Sequence, residues 1–95
     1  MIEILAFRLA AGADEESFLA ADRLVQGDFA YQQPGLLRRT TARGNDGAWI
    51  VIDLWRSAQD ADACDALWGH DQLTAEFMSF VDKATVRSER YTELD

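Results

Sequence analysis

Residues 48–56 (AWIVIDLWR), directly after Gly44-Asn45-Asp46-Gly47, constrain the fold of this chain more than any other stretch. A run this short, rich in β-branched and aromatic residues, reads as a strand. The Asn/Gly tetrapeptide before it reads as a hairpin turn, because Asn and Gly tolerate positive φ. Residues 36–43 (LLRRTTAR) then form the partner strand. Both alternating faces of 48–56 are apolar: Ile50, Ile52 and Leu54 on one, Trp49, Val51 and Trp55 with Asp53 on the other. A sheet face left to water is ordinarily polar, so something must pack on each side of this strand.

The rest of the chain supplies the other elements. Residues 2–9 (IEILAFRL) form a first strand with the same doubling: Ile2, Ile4 and Ala6 on one side, Glu3, Leu5, Phe7 and Leu9 on the other. Ala11-Gly12-Ala13 breaks the run. Asp14 is the N-cap of a helix with Glu15 and Glu16 in its first turn, where the helix dipole favours negative charge. Phe18, Ala21, Val25 and Phe29 recur at helical spacing to about residue 31, before Pro34-Gly35 ends the segment. Ser57-Ala58-Gln59-Asp60 reads as a capping box with Asp in place of Glu. The helix it opens carries Ala61, Cys64, Leu67 and Trp68 on one stripe. Gly69 interrupts it, and a further helical piece starts at Asp71 with Leu73, Phe77, Phe80 and Val81 facing inward. Residues 84–91 (ATVRSERY) make the last strand.

The order is βαββαβ, an α+β ferredoxin-like arrangement with a four-stranded antiparallel sheet, expected as a single domain over 1–95. The helices of such a unit cover one sheet face only. The even positions, Ile50, Ile52 and Leu54, are expected under them. Trp49, Val51, Asp53 and Trp55 are then expected on the other side, covered by the sheet of a second copy in a face-to-face homodimer. A hydrophobic ligand lying over the aromatic face would meet the same need. A chain of 95 residues buries only about two thirds of its unfolded surface, so a partner covering more is an advantage.

Charge narrows the partners. The chain has 17 acidic residues against 9 basic and a net charge of −8, a surface that repels phosphate backbones and anionic membranes. Nucleic acid is not an expected partner. No apolar stretch approaches the roughly 20 residues that cross a bilayer. Glu3 and Arg8 interrupt the N-terminal run that would otherwise resemble a signal peptide. The one cysteine, Cys64, forms no intrachain disulfide, in keeping with a reducing cytoplasm.

Few side chains offer chemistry. In the hairpin, a four-residue loop sets Arg38 opposite Asp53, and a three-residue loop with a bulge sets Arg39 there. Either pair is a structural ion pair or a polar fixture that orients a ligand in an apolar cavity. His70 is the only ordinary imidazole base, placed in Trp68-Gly69-His70-Asp71 where the helix breaks. It is either a proton acceptor beside a cavity or a solvent-exposed residue. One His and one distant Cys make no metal pattern. Cys64 lies among Asp60, Asp62 and Asp65, which disfavour a thiolate.

The βαββαβ order, the hairpin GLLRRTTARGNDGAWIVIDLWRS and the closing FVDKATVRSERY resemble the dimeric α/β-barrel superfamily, in its antibiotic biosynthesis monooxygenase-like branch. The resemblance covers nearly the whole chain and implies a pocket in each subunit between sheet and helices, opening near the second helix. Haem-degrading members use an Asn on the first strand, a Trp on the second helix and a His beyond it. The matching positions here are Phe7, Trp68 and the neighbourhood of Met78, which argues against haem and for no cofactor. The aromatic-polyketide oxygenases of the superfamily work with Asn, Trp, Tyr and Arg side chains. Trp49, Trp55, Trp68, Tyr31, Tyr91 and Arg38 are similar types, and Phe7 joins them as a wall residue.

Two functions from different classes follow. One is a cofactor-independent monooxygenase or related small-molecule enzyme for an aromatic or hydrophobic metabolite, with Arg38 and Asp53 orienting its oxygens and His70 as base. The other is a binding or accessory homodimer with no chemistry.

Overall fold

Helix starts in this protein are set by side chains that accept from otherwise unpaired first-turn amides. In the computed structural model, which describes residues 1–95, Asp14 accepts from the Ser17 amide ahead of α1 (Glu15–Leu24). Ser57 does so from Asp60 ahead of α2 (Ala58–Leu67), and Asp71 from Leu73 and Thr74 ahead of α3 (Gln72–Ser79). The first helical segment runs on through a π turn (Val25–Phe29) and a 3-10 turn (Ala30–Gln32), so it reaches the length the apolar periodicity predicts.

Four strands, β1 (Ile2–Leu9), β2 (Leu36–Arg43), β3 (Ala48–Trp55) and β4 (Val81–Tyr91), form one antiparallel sheet in the order β2-β3-β1-β4. β4 starts earlier than its sequence pattern indicates, because Val81 pairs with Leu9 and is buried there. In the β2–β3 hairpin the Gly44 amide donates to the Ala48 carbonyl at 2.7 Å, leaving Asn45–Gly47 as a three-residue loop with Gly47 at φ 84°. A residue with positive φ at the end of such a loop is the usual solution. Arg39, not Arg38, therefore pairs with Asp53.

The sheet faces are the reverse of the sequence expectation. Trp49, Val51 and Trp55 of β3, with Glu3 and Phe7 of β1, are buried beneath the helices. Ile2, Ile4, Ile50, Ile52 and Leu54 lie on the open side and are only half-buried. The reason is reach. Helices stand off a sheet, and large rings bridge that gap better than aliphatic side chains. Phe18 of α1 meets Trp49 edge-on at 5.1 Å between ring centres, and Phe77 of α3 meets Phe7 at 5.7 Å and Trp68 at 5.4 Å. Such edge-to-face contacts are the favoured geometry for aromatic rings.

The other face of the sheet carries no helices. The open face pairs Ile2, Ile4 and Ala6 with Leu54, Ile52 and Ile50 across β1 and β3. Arg38 on β2 and Arg87, Glu89 and Tyr91 on β4 flank this aliphatic centre in register.

Phe77 is fully buried and touches Phe7, Phe18 and Trp68. Phe77→Ala is expected to cost ~3–5 kcal/mol in urea unfolding. Leu37→Ala, at an exposed position of β2, should stay within about 0.5 kcal/mol of wild type.

Candidate functional site

The inward stripe of α2 is made of small residues. It buries only Ala61 and Cys64, too little volume to fill the space above the sheet. The result is a cavity of about 240 Å³. Phe29 from the π turn, Val51 and Trp55 from β3 and Trp68 from the end of α2 make its apolar walls; Glu3, Arg39, Asp53 and Asp65 are its charged members. Trp68 is held edge-on between Phe29, at 6.0 Å, and Phe77.

Arg39 faces Asp53 in register but does not bond to it. Its guanidinium donates to Asp22 of α1 at 2.8 Å, to Gln26 at 3.1 Å and to Thr41 at 3.3 Å. The Tyr31 hydroxyl fixes the strand there, accepting from the Arg39 amide at 2.8 Å. The expected arginine–Asp53 ion pair is therefore replaced by a buried Arg39–Asp22 pair, because Asp22 comes down from the helix onto the guanidinium. Asp53 Oδ1 is left buried with no hydrogen-bond partner, as is the indole nitrogen of Trp55. Burial pushes the Asp53 carboxyl up to about 6, with Arg39 pulling it down and Asp65 and Asp22 adding to the rise.

Directly beside Asp53, in register on β1, Glu3 accepts from Arg90 Nε of β4 at 2.8 Å. Arg90 also grips Asp62 at 2.7 Å and Asp65 at 2.9 Å on α2, tying the edge strand to the helix over the cavity. Burial raises the Glu3 carboxyl to about 7 against the pull of Arg90. The Cys64 thiol is pushed up to about 12, by burial first and then by Asp65 and Asp53. It is a space-filling thiol and not a nucleophile at neutral pH.

Of the residues nominated by the sequence, Asp53, Trp55 and Trp68 come together in this cavity. Trp49 and Phe7 are buried in the aromatic core beside it and do not line it. Arg38 is exposed on the open face opposite Leu54, since a residue next to Arg39 on a strand must point the other way. Tyr91 is exposed on that open side opposite Ile2. Tyr31 is exposed, its hydroxyl serving the β2 backbone. His70 is exposed and does not line the cavity. Its turn is pinned by the Gly69 amide donating to the Thr74 hydroxyl at 2.9 Å and by the His70 amide donating to the Leu67 carbonyl at 3.1 Å. Glu3, Asp65 and Phe29 were not foreseen as wall residues. Nor was Asp22 as the partner of Arg39, although one signal existed: Asp22 is a charge next to the apolar stripe Phe18, Ala21, Val25 and Phe29. No three His, Cys, Asp or Glu side chains converge in a way that would hold a metal ion.

No family model matches the sequence, and neither does any curated protein sequence. Solved structures do match. SnoaB, a cofactor-independent oxygenase from Streptomyces nogalater, superposes with a TM-score of 0.80 at 17% identity, over 99% of this chain and 92% of that one. A crystal structure of an antibiotic biosynthesis monooxygenase superposes at 0.62 with 15% identity, over 98% of this chain and 100% of that one. The chain has the antibiotic biosynthesis monooxygenase-like fold. A protein from Arabidopsis thaliana shares this fold with a TM-score of 0.79 at 11% identity, over 99% of this chain and 95% of that one. At these identities the likeness shows the fold alone.

Folding raises the Asp53 carboxyl, so the folded chain keeps a proton that the unfolded chain has already released between about pH 4 and pH 6. Its contribution to stability is fully present below the ordinary carboxylate range and is lost as pH rises through about 6. Glu3 acts in the same direction up to about 7. Asp53→Asn is therefore expected to match wild type in urea unfolding at acid pH, and to exceed it by on the order of 2 kcal/mol at mildly alkaline pH. An equal shift at both pH values would show that the side chain acts through packing and not through charge.

Proposed function

We propose that this chain is a homodimeric small-molecule enzyme of the cofactor-independent monooxygenase type, acting on an aromatic or otherwise hydrophobic metabolite held in the cavity above β3. The observation that carries the reading is Asp53: a carboxyl with a buried, unpartnered oxygen set among Phe29, Val51, Trp55 and Trp68. A mostly apolar cavity with one polar fixture is the usual form of a small-molecule site. Asp53 takes the hydrogen-bond donor of the ligand. With its carboxyl at about 6 it also exchanges a proton close to neutral pH, as general acid–base catalysis requires. Trp68, Trp55 and Phe29 hold the ring and keep water out. An oxygenase without a cofactor draws its electrons from the substrate itself, so the task of the protein is proton removal and positioning. The fold shared with SnoaB supports this reading by analogy.

A second reading, a binding dimer without chemistry, is favoured by the absence of an imidazole from the cavity wall and by the protonated state of Cys64. Both readings place a second copy on the open Ile/Leu face. An aliphatic centre ringed by Arg38, Arg87 and Glu89 has the layout of a protein interface. The charge pattern and lone thiol support a cytoplasmic setting.

The dimer is tested by Ile52→Asp, at the centre of that face and outside the core. Wild type is expected to sediment as a dimer and the variant as a folded monomer; a monomeric wild type overturns the face-to-face arrangement. For the site, native mass spectrometry of gently purified protein is expected to show a hydrophobic adduct that Trp68→Ala loses. On any substrate so identified, Asp53→Asn should lower kcat about a hundredfold, the scale of one acid–base group. Binding with no turnover would select the non-catalytic reading. Full turnover in both variants would move the site elsewhere.

A further inference from the structure

The charges around the cavity are unequal. Its wall carries Glu3, Asp53 and Asp65 against Arg39. Arg39 is already neutralised by Asp22, and Arg90 is divided among Glu3, Asp62 and Asp65. With these partners counted, five carboxyls share two guanidiniums. Both guanidiniums are engaged, so an incoming anion finds no free cation. Asp53, by contrast, lines the cavity with a carboxyl whose buried Oδ1 has no partner in the chain.

We propose that the cavity selects an apolar or aromatic amine in its ammonium form, with the ammonium donating to Asp53, and that it rejects carboxylates of the same skeleton. This rests on the cavity being the ligand site, as proposed above, and names the class of ligand. The physical case has three parts. Burial leaves Asp53 Oδ1 without a partner, and an unpaired buried carboxylate gains more from a partner than a solvated one. Phe29, Trp55 and Trp68 line the cavity, and aromatic rings are the apolar lining that attracts a cation. The orphaned indole N–H of Trp55 calls for an acceptor, and that acceptor must be a neutral oxygen. Trp55 lies two residues from Asp53 on the same face of β3, about 7 Å along the strand, where a second carboxylate would be repelled.

A matched set of probes, phenethylamine, phenethyl alcohol and hydrocinnamate, separates charge from shape. Titration calorimetry near neutral pH should give the amine about tenfold or more tighter binding than the alcohol, with hydrocinnamate the weakest of the three. Asp53→Asn should reduce the advantage of the amine over the alcohol to less than about threefold. An alcohol or carboxylate that binds wild type as tightly as the amine overturns the inference without recourse to any variant. An amine advantage that survives Asp53→Asn overturns it too. If the alcohol binds and the amine has no advantage, only the ligand class is wrong. If none of the three binds at millimolar concentration, the ligand-site reading falls and the inference with it.

Discussion

The buried contact between Arg39 and Asp22 determines what the cavity can do. Antiparallel pairing sets Arg39 beside Asp53, and an arginine there would ordinarily neutralise its neighbour. Asp22, descending from α1, takes the guanidinium at 2.8 Å instead, and Gln26 and Thr41 take further donors. One pair is satisfied and one carboxyl is left over. Because the surroundings of Asp53 are mostly apolar, that surplus appears as a raised pKa and an unfilled hydrogen bond. Carboxyls in such a position cost stability, and sites that bind or transform ligands are where proteins tolerate that cost.

The cavity itself is a matter of volume. The layer over β1 and β3 is filled at one end by Phe7, Phe18, Trp49 and Phe77, whose rings meet edge to face or, between Phe18 and Phe77, at a tilt. At the other end α2 contributes Ala61 and Cys64, and the space they leave is bounded by Phe29 and Trp68. The π turn at Val25–Phe29 matters here, since an extra residue in the turn re-aims Phe29 relative to a regular α-helix. Arg90 then ties β4 to α2 over this end through Asp62 and Asp65. A packed end and a hollow end thus share one sheet.

Much of the fold was legible because it depends on local signals. The helix starts at Asp14, Ser57 and Asp71, the break at Gly69 and the hairpin at Gly44–Gly47 follow from capping and turn chemistry, which act over a few residues. Alternation in β1 and β3 showed that both faces are apolar. Which face lies under the helices was not legible, because alternation is symmetric between the two sides. The choice came from Phe18 and Phe77, on elements distant in sequence, meeting Phe7 and Trp49. The site was legible only in part, for the same reason. Asp53, Trp55 and Trp68 could be named from their strand and helix positions. Arg38 follows from a four-residue hairpin loop and His70 from its imidazole at the helix break, and a one-residue offset and a turn point them outward.

By itself, then, the sequence determined the order of elements, the two-sided sheet, the acidic surface and the short supply of catalytic side chains, since each depends on neighbours along the chain or on composition. Only the tertiary structure decided that the rings face the helices, that Arg39 rather than Arg38 stands opposite Asp53, and that Asp22 claims it. Those outcomes depend on loop length to a single residue and on side chains brought together from α1, β2 and β3. Close packing and the pairing of buried charge select one arrangement among several that the local signals allow equally.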